Sequence, residues 1–414
     1  MGMISKPAWR VSELSQEAFN ASRPFSFKSH QQVVFVNTGD VLAGKFLHAN
    51  ISEAKGLPGQ AKKALRRDDI LLTEIRPGNG RFAYVNFNPE KYVVSTKFLV
   101  IESYGRVIPR FLYHVLTNQS ALDEFQRIAE SRSGTFPQIT FESIAHFPVP
   151  VPPQQIQEEL TRFFDSIENR ITLLRETNIT LESIAQALFK SWFVDFDPVN
   201  SKQAGREPEG MDTATAALFL AEFEESALGL IPRGWTVKRL GELVELVYGK
   251  ALKATDRKDG AVPVYGSGGI TGFHDEALVP HGSVIVGRKG TVGSLYWEER
   301  PFFPIDTTFY VRPTAAPLTF CYYAMQRLGL ESMNTDAAVP GLNRENAYRL
   351  EFVVPTDAVL DSFDNIAAAI RNSIHANSRR AETLADVRDL LLPRLISGKL
   401  RLPEAQEQLE DALA

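Results

Sequence analysis

The feature that most constrains this chain is an internal repeat. Residues 134–152, GTFPQITFESIAHFPVPVP, and residues 337–355, AAVPGLNRENAYRLEFVVP, align at an offset of 203 residues. Pro137 falls on Pro340, Ile139 on Leu342, Glu142 on Glu345, Val151 on Val354 and Pro152 on Pro355. The offset continues without a gap through Leu160 and Phe363, Ile167 and Ile370, Ile171 and Ile374, Leu181 and Leu384, and Leu188 and Leu391. ALFKSWF (187–193) thus falls on LLLPRLI (390–396). Upstream, DDILLTEIRP (68–77) matches HGSVIVGRKG (281–290) in pattern, and STKFLV (95–100) matches DTTFYV (306–311). Both upstream blocks show short β-rich runs broken by Gly and Pro, then a helix-like piece near 109–130 and 318–333. A repeat on this scale sets the architecture before any single element does. The chain reads as globular block, long helix, globular block, long helix.

The helical segments carry apolar residues four and three apart. The first has Leu160, Phe164, Ile167, Ile171, Leu174, Asn178, Leu181, Ala185, Leu188 and Trp192. The second, over about 356–395, has Phe363, Ala367, Ile370, Ile374, Asn377, Ala381, Leu384, Leu391 and Leu395. This is a heptad seam that a lone helix cannot bury. Its own repeat is the simplest partner, and a two-fold relation makes the pair antiparallel, with the globular blocks at opposite ends. With the axis near Glu176, Asn178 faces Asn377, a polar pair that would fix register at some cost in stability. Pro152 and Pro153 suit the first helix's start, and Gly398 suits the second helix's C-terminal cap. The expected fold class is α+β, with two globular α/β domains separated by an antiparallel coiled coil and related by a pseudo-two-fold repeat. The expected boundaries are a first domain at 1–151, a helical spacer at 152–198 and a linker at 199–225. A second domain at 226–355, a distal spacer at 356–402 and a tail at 403–414 complete the chain.

Charge and motifs narrow the function. Net charge is -5, but residues 1–150 carry 18 Lys/Arg against 13 Asp/Glu, whereas residues 151–230 carry 6 against 14. Nucleic-acid binding needs local basic surface, not a basic average. The single cysteine, Cys321, excludes an internal disulfide and an all-cysteine metal site. No apolar run suggests a membrane span, and MGMISKPAWRVSEL has no signal pattern, so a cytoplasmic protein is expected. There is no P-loop and no Gly-x-Ser-x-Gly elbow. GSGGITG (266–272) breaks the dinucleotide fingerprint at Thr271 and reads as a surface loop. NPE (88–90) lacks the rest of an amino-methyltransferase motif, and Asp69 with Glu74 is a weak nuclease pattern. Two domains without catalytic chemistry point to recognition or scaffolding, not to an enzyme, and no metal site or cofactor is expected in the chain.

At the helix ends the residues resemble a known family, the specificity subunit of type I restriction-modification systems. ALFKSWFVDFDPV (187–199) resembles that family's central-helix signature and LLLPRLISGKLRL (390–402) its distal one. SALGLIPRGWTVKRLGEL (226–243) resembles the start of a target-recognition domain. VYGSGGITGFHDEALV, GSVIVGRKGTVGSLYW and PFFPIDTTFYV resemble its body. LPGQAKKALRRDDILLTEIRP and YVVSTKFLV resemble another recognition-domain subtype. The first block departs from the pattern, with PAWRVSEL where an Ile-Pro-x-Gly-Trp start belongs. The resemblance implies two domains that each read half of a bipartite site on double-stranded DNA. The helices would set the spacer. Two modification subunits, which bind S-adenosylmethionine, would dock on the helices. Restriction subunits, which use ATP and Mg, would join them.

Base edges are read by Arg, Lys, Asn and Gln, and phosphates by Lys, Arg, Ser, Thr and backbone amides. The first-domain candidates are Gln60, Lys62, Lys63, Arg66, Arg67, Arg76, Asn79, Arg81, Arg132, Ser133 and Thr135. The second-domain candidates are Lys250, Lys253, Arg257, Lys258, Tyr265, Ser267, His274, Arg288, Lys289, Thr291, Asn343 and Arg344. For partner docking the candidates are Phe189, Trp192, Phe193, Phe196, Leu392, Leu395 and Ile396; these would equally serve to seal each helix against its own domain. A coiled-coil scaffold for two protein-binding domains is the competing class, and salt-dependent DNA binding separates the two.

Overall fold

The computed structural model describes residues 9–131, 137–333 and 341–413. Contacts divide the chain into two units. The first is Met1–Leu174 with Arg379–Ala414, and the second is Arg175–Ser378. Each holds one globular domain and half of each long helix. The helices are Gln154–Phe193 and Asp357–Ile396, close to the limits that the heptad spacing predicts.

Both domains are built on the same plan. In the first unit Arg10–Glu13 pairs antiparallel with Pro148–Val151, and in the second Thr236–Arg239 pairs with Glu351–Val354. Arg10 lies opposite Val151, as Thr236 lies opposite Val354, so PAWRVSEL opens its domain as GWTVKRLGEL does. The main sheet of the first unit runs Ala18–Asn20, Phe98–Ser103, Ile70–Thr73, Phe82–Tyr84. That of the second runs Val244–Tyr248, Thr308–Pro313, Ser283–Gly287, Leu295–Glu298, with the same order and connections. The central strands, ILLT and SVIVG, are buried throughout, which is why they read as apolar runs without alternation. A smaller sheet lies beside each main one, with four strands in the first unit and three in the second. GSGG is the tight turn of a hairpin between Val262–Gly266 and Gly269–His274, where Gly269 takes a positive φ of 102°.

Within each unit the two long helices run antiparallel. In the first, Leu160, Phe164, Ile167 and Ile171 share a core with Ala381, Leu384, Leu391 and Leu395. In the second, Ala185, Phe189, Trp192 and Phe193 share one with Phe363 and Ala367. Burying each large side chain stabilises by about 1.5–3 kcal/mol. The asparagine layer is present. Asn377 Nδ2 donates to Asn178 Oδ1 at 3.0 Å, and Asn178 Nδ2 donates to Ser378 Oγ at 3.0 Å and Ile374 O at 3.2 Å. The second helix ends in an αL cap at Gly398, φ 69°, where a Cβ would also meet the Trp9 ring at 3.3 Å.

Three expectations need correction. The helical piece at 109–130 is two helices, Pro109–Thr117 and Gln119–Ser131, divided at Asn118, whose Oδ1 accepts from Ala121 N at 3.0 Å. The stretch 199–225 is not a bare linker. It forms short helices Asp197–Gln203 and Thr213–Ala217, and its Val199 and Phe219 are buried in the second unit's core. Its acidic average conceals those apolar anchors. Residues 403–414 are likewise not a tail. Leu402–Leu413 is a helix with Ala405 buried and Leu402 and Leu409 packed on the first unit's core.

Candidate nucleic-acid interface

In the second unit the loop after Ser283–Gly287 is stitched into a fixed shape. Gly287 N donates to Ser294 O and Gly293 N to Gly287 O, both at 2.8 Å. A Cβ on Gly287 would lie 2.1 Å from Thr291 O, so only glycine permits this closure. Leu342 N then donates to Arg288 O at 2.8 Å and joins this loop to the start of the helix Arg344–Tyr348. The join creates a cleft of about 320 Å³ lined by Tyr248, Arg288, Lys289, Asn343, Arg344 and Glu345, among others. The Arg288 guanidinium carbon lies 5.0 Å from the Tyr248 ring centroid, and that of Arg344 lies 5.2 Å from the same ring. Arg288 also donates to Asp306 O at 2.7 Å. Arg344 is within 3.5 Å of Glu345 and 5.7 Å of the Tyr348 ring. Among the described residues, three cations, Arg288, Lys289 and Arg344, against the one carboxylate of Glu345 make the cleft positive, and Thr291 stands exposed nearby.

Other second-domain candidates are spent on structure. Tyr265 is 6% exposed and its hydroxyl donates to Glu298 at 2.9 Å. Burial, and then the carboxylate beside it, push that phenol's pKa up. His274 is buried, and its Nδ1 accepts from Lys258 N at 3.1 Å. Arg257 donates to Thr271 O at 2.7 Å and braces the hairpin. Asn343 caps the helix Arg344–Tyr348 by accepting from Asn346 N at 3.1 Å, although it faces the cleft. Ser267 sits in the hairpin turn, where its Oγ accepts from Thr291 N at 3.4 Å. Lys250 and Lys253 are exposed, and Lys258 is exposed within 3.5 Å of Asp275.

In the first unit Lys62 and Lys63 lie in a strand, Ala61–Ala64, so they point to opposite faces. Lys62 is exposed, whereas Lys63 donates to Phe98 O at 2.6 Å, and burial pushes its pKa down against the raising effect of Glu74. Arg81 is also spent, on the carbonyls of Gly39 at 2.9 Å and Val41 at 3.0 Å. Arg66, Arg67, Arg76 and Asn79 are exposed, with Arg66 within 3.9 Å of Glu102, and Gln60 is half-buried. Arg132, Ser133 and Thr135 lie outside the described residues. Asp69 is buried on Arg23 and accepts from Arg66 N at 2.6 Å, an arrangement that supports a turn and not nuclease chemistry.

Sequence reasoning missed one residue at this site and placed another only in a weak nuclease pattern. Tyr248 ends an alternating strand, VELVY, and an exposed aromatic in that position was the available signal. Glu74 is the other. Ile139 N donates to Glu74 O at 2.8 Å, the counterpart of the Leu342 to Arg288 bond. The first unit therefore carries a half-buried carboxyl, its pKa raised by burial, where the second carries Arg288. Only the alignment of backbone bonds reveals this, because the second unit has one extra residue there.

The proposed docking aromatics face inward. Phe189, Trp192 and Phe193 are buried among Phe219, Trp235, Phe320 and Phe363. Phe196 packs half-buried on Phe223 and Trp235. Leu392, Leu395 and Ile396 are buried in the first unit. Of the two roles the sequence allowed, sealing each helix against its own domain fits this burial.

Arginines fasten each domain to the helices. In the first unit Arg110, on Pro109–Thr117, meets Asp165 at 2.7 Å and Glu168 at 2.6 Å on the first long helix, and lies over Tyr84 and Tyr113. In the second unit Arg371, on the second long helix, meets Glu182 at 3.0 Å and Glu299 at 3.7 Å, and lies over Trp297 and Tyr322. His114, Asp165 and Glu168 are close enough to hold a metal ion, but Arg110 already engages both carboxylates, so the group is a clamp. Cys321 is buried, which pushes its thiol up to about 12 and makes it inert.

The family model described as the type I restriction modification DNA specificity domain matches residues 11–183 and 232–355. The chain is 32% identical to the type I restriction enzyme HindI specificity subunit of Haemophilus influenzae, over 95% of this chain and 99% of that one. It is 22% identical to the MjaIX specificity subunit of Methanocaldococcus jannaschii, over 86% of this chain and 82% of that one. Its fold is similar to the S subunit of a type I system from M. genitalium, with a TM-score of 0.55, 16% identity and coverage of 95% and 98%.

Proposed function

Because this chain belongs to the type I restriction-modification DNA specificity family, we propose that it is the non-catalytic subunit that reads DNA for a modification and restriction complex. The single observation that carries the reading is the duplication. Two domains with one strand order sit on equivalent halves of the helices, yet present different side chains at the equivalent strand end, Glu74 in one and Arg288 in the other. Two similar but unlike readers suit a bipartite, asymmetric site, with half-site spacing set by protein geometry. Exposed Lys62, Arg66, Arg67 and Arg76 in the first unit, and Lys250, Lys253 and Lys289 in the second, suit phosphate contacts.

Two modification subunits supply S-adenosylmethionine and the methyl transfer, and restriction subunits supply ATP- and Mg-dependent cleavage. This chain contributes no cofactor and acts in the cytoplasm. Among the described residues no helix is long and apolar enough to cross a membrane. The test is to map methylated adenines in cells that carry this chain and its modification partner. A two-part motif with an adenine in each half is expected. An uninterrupted motif, or none, overturns the reading.

A further inference from the structure

The geometry points to a guanine-reading site in the second unit: we propose that Arg288 and Arg344, held on Tyr248, read one guanine of that unit's half-site. The proposal rests on the reading that this unit binds DNA and goes further by naming the base and the residues.

A phosphate contact needs no fixed cation, and Lys289, exposed where it lines the cleft, suits that role. Reading a base requires the plane of the donor to be set in advance, because guanine O6 and N7 accept two parallel hydrogen bonds from a guanidinium. Both arginines are held against aromatic rings, and Arg288 is also anchored by a hydrogen bond. Arg288 is tied to Asp306 O at 2.7 Å and lies over Tyr248 at 5.0 Å and Phe309 at 5.9 Å. Arg344 lies over Tyr248 at 5.2 Å and Tyr348 at 5.7 Å. Tyr248 is itself fixed by pairing opposite Phe309 and by ring contact with it at 4.8 Å.

The cleft also holds unused hydrogen-bonding capacity. Among the described residues Arg344 Nε is shielded from solvent without a hydrogen-bond partner, and Glu345 lies at an ion-pair distance of 3.5 Å. Two guanidiniums converge on one ring while, among the described residues, a single carboxylate lies within salt-bridge range of Arg344. An acceptor-rich edge such as O6 and N7 of guanine relieves that imbalance. Adenine offers N7 beside a donor amino group, which faces the guanidinium like against like. Tyr248 is a positioning residue here, since it acts by orienting the two arginines.

The test uses the assembled methyltransferase complex and the recognition sequence defined by the wild-type protein's own methylation map. Binding is measured to duplexes carrying every single base-pair change in both half-sites. Arg344→Lys and Arg288→Lys keep the charge but lose the fork. At least one is expected to reduce discrimination at one G·C pair by on the order of 10- to 100-fold, with the other half-site unchanged. Tyr248→Leu should loosen the same position, and Tyr248→Phe should preserve it. Lys289→Ala should weaken all sequences alike and lower the salt dependence. Thermal unfolding of each variant identifies any that fails to fold, and the remaining arginine variant then carries the test. A uniform loss of affinity in folded Lys variants, or unaltered base preference at every position, overturns the guanine assignment and leaves the cleft as a phosphate contact. A wild-type complex with no sequence preference would instead overturn the DNA-reading function itself.

Discussion

Trp192 shows how a residue's neighbours decide its role. Read as sequence, an aromatic run at a helix end suits a docking surface as well as a core. In the structure Trp192 is 4% exposed, edge-on to Phe219 at 5.1 Å. Trp192→Ala should therefore destabilise the second unit by about 3–5 kcal/mol in denaturant unfolding, without a selective loss of partner binding. The same distinction divides the polar candidates. Lys63, Arg81, Arg257, Tyr265 and His274 are of types that suit DNA contact, yet each is engaged by its own domain. Residue type and a nearby glycine cannot tell a base reader from a brace, because the partner is often a backbone carbonyl that leaves no mark in the sequence.

Among the elements, the long helices were the most legible. A seam of four-three spacing runs along most of each 40-residue helix, and proline before one start and glycine after one end marked limits that the structure closely matches. The facing asparagines followed from the same symmetry. Asn377→Leu leaves Asn178 Oδ1 without its donor and should cost about 1–2 kcal/mol in thermal unfolding. A double Asn178→Leu, Asn377→Leu replacement should recover that loss while relaxing helix register, seen as broadened spectra or altered cross-linking between the helices. The short elements were less legible. In 199–225 and 403–414, composition suggested linker and tail, but Val199, Phe219, Ala405 and Leu409 are enough to attach those segments to a core. A few apolar anchors outweigh an acidic average once they meet a preformed surface.

Across the whole molecule, duplication was legible from one offset, and what the two copies do differently was not. The divergence lies in tertiary partners. In the first unit, burial raises the Asp165 carboxyl, but hydrogen bonds from His114 and Arg110 outweigh it and hold the group below its ordinary range. The stability it contributes is therefore complete above the usual aspartate value of about 3.9 and lost as pH falls through the lower folded value. Arg110→Met should move acid loosening of the helix Pro109–Thr117 to higher pH, followed by hydrogen exchange. The clamp in the second unit reverses the polarity. Arg371 occupies the position equivalent to Glu168 at the offset of 203, so there the helix presents the cation and the domain presents Glu299. A first-unit domain grafted into the second position would bring Arg110 toward Arg371, and the reverse graft would bring Glu299 toward Glu168. Recombination between the two halves of such a gene is thus unequal in outcome. A head moved between the two positions of this chain arrives with the wrong key.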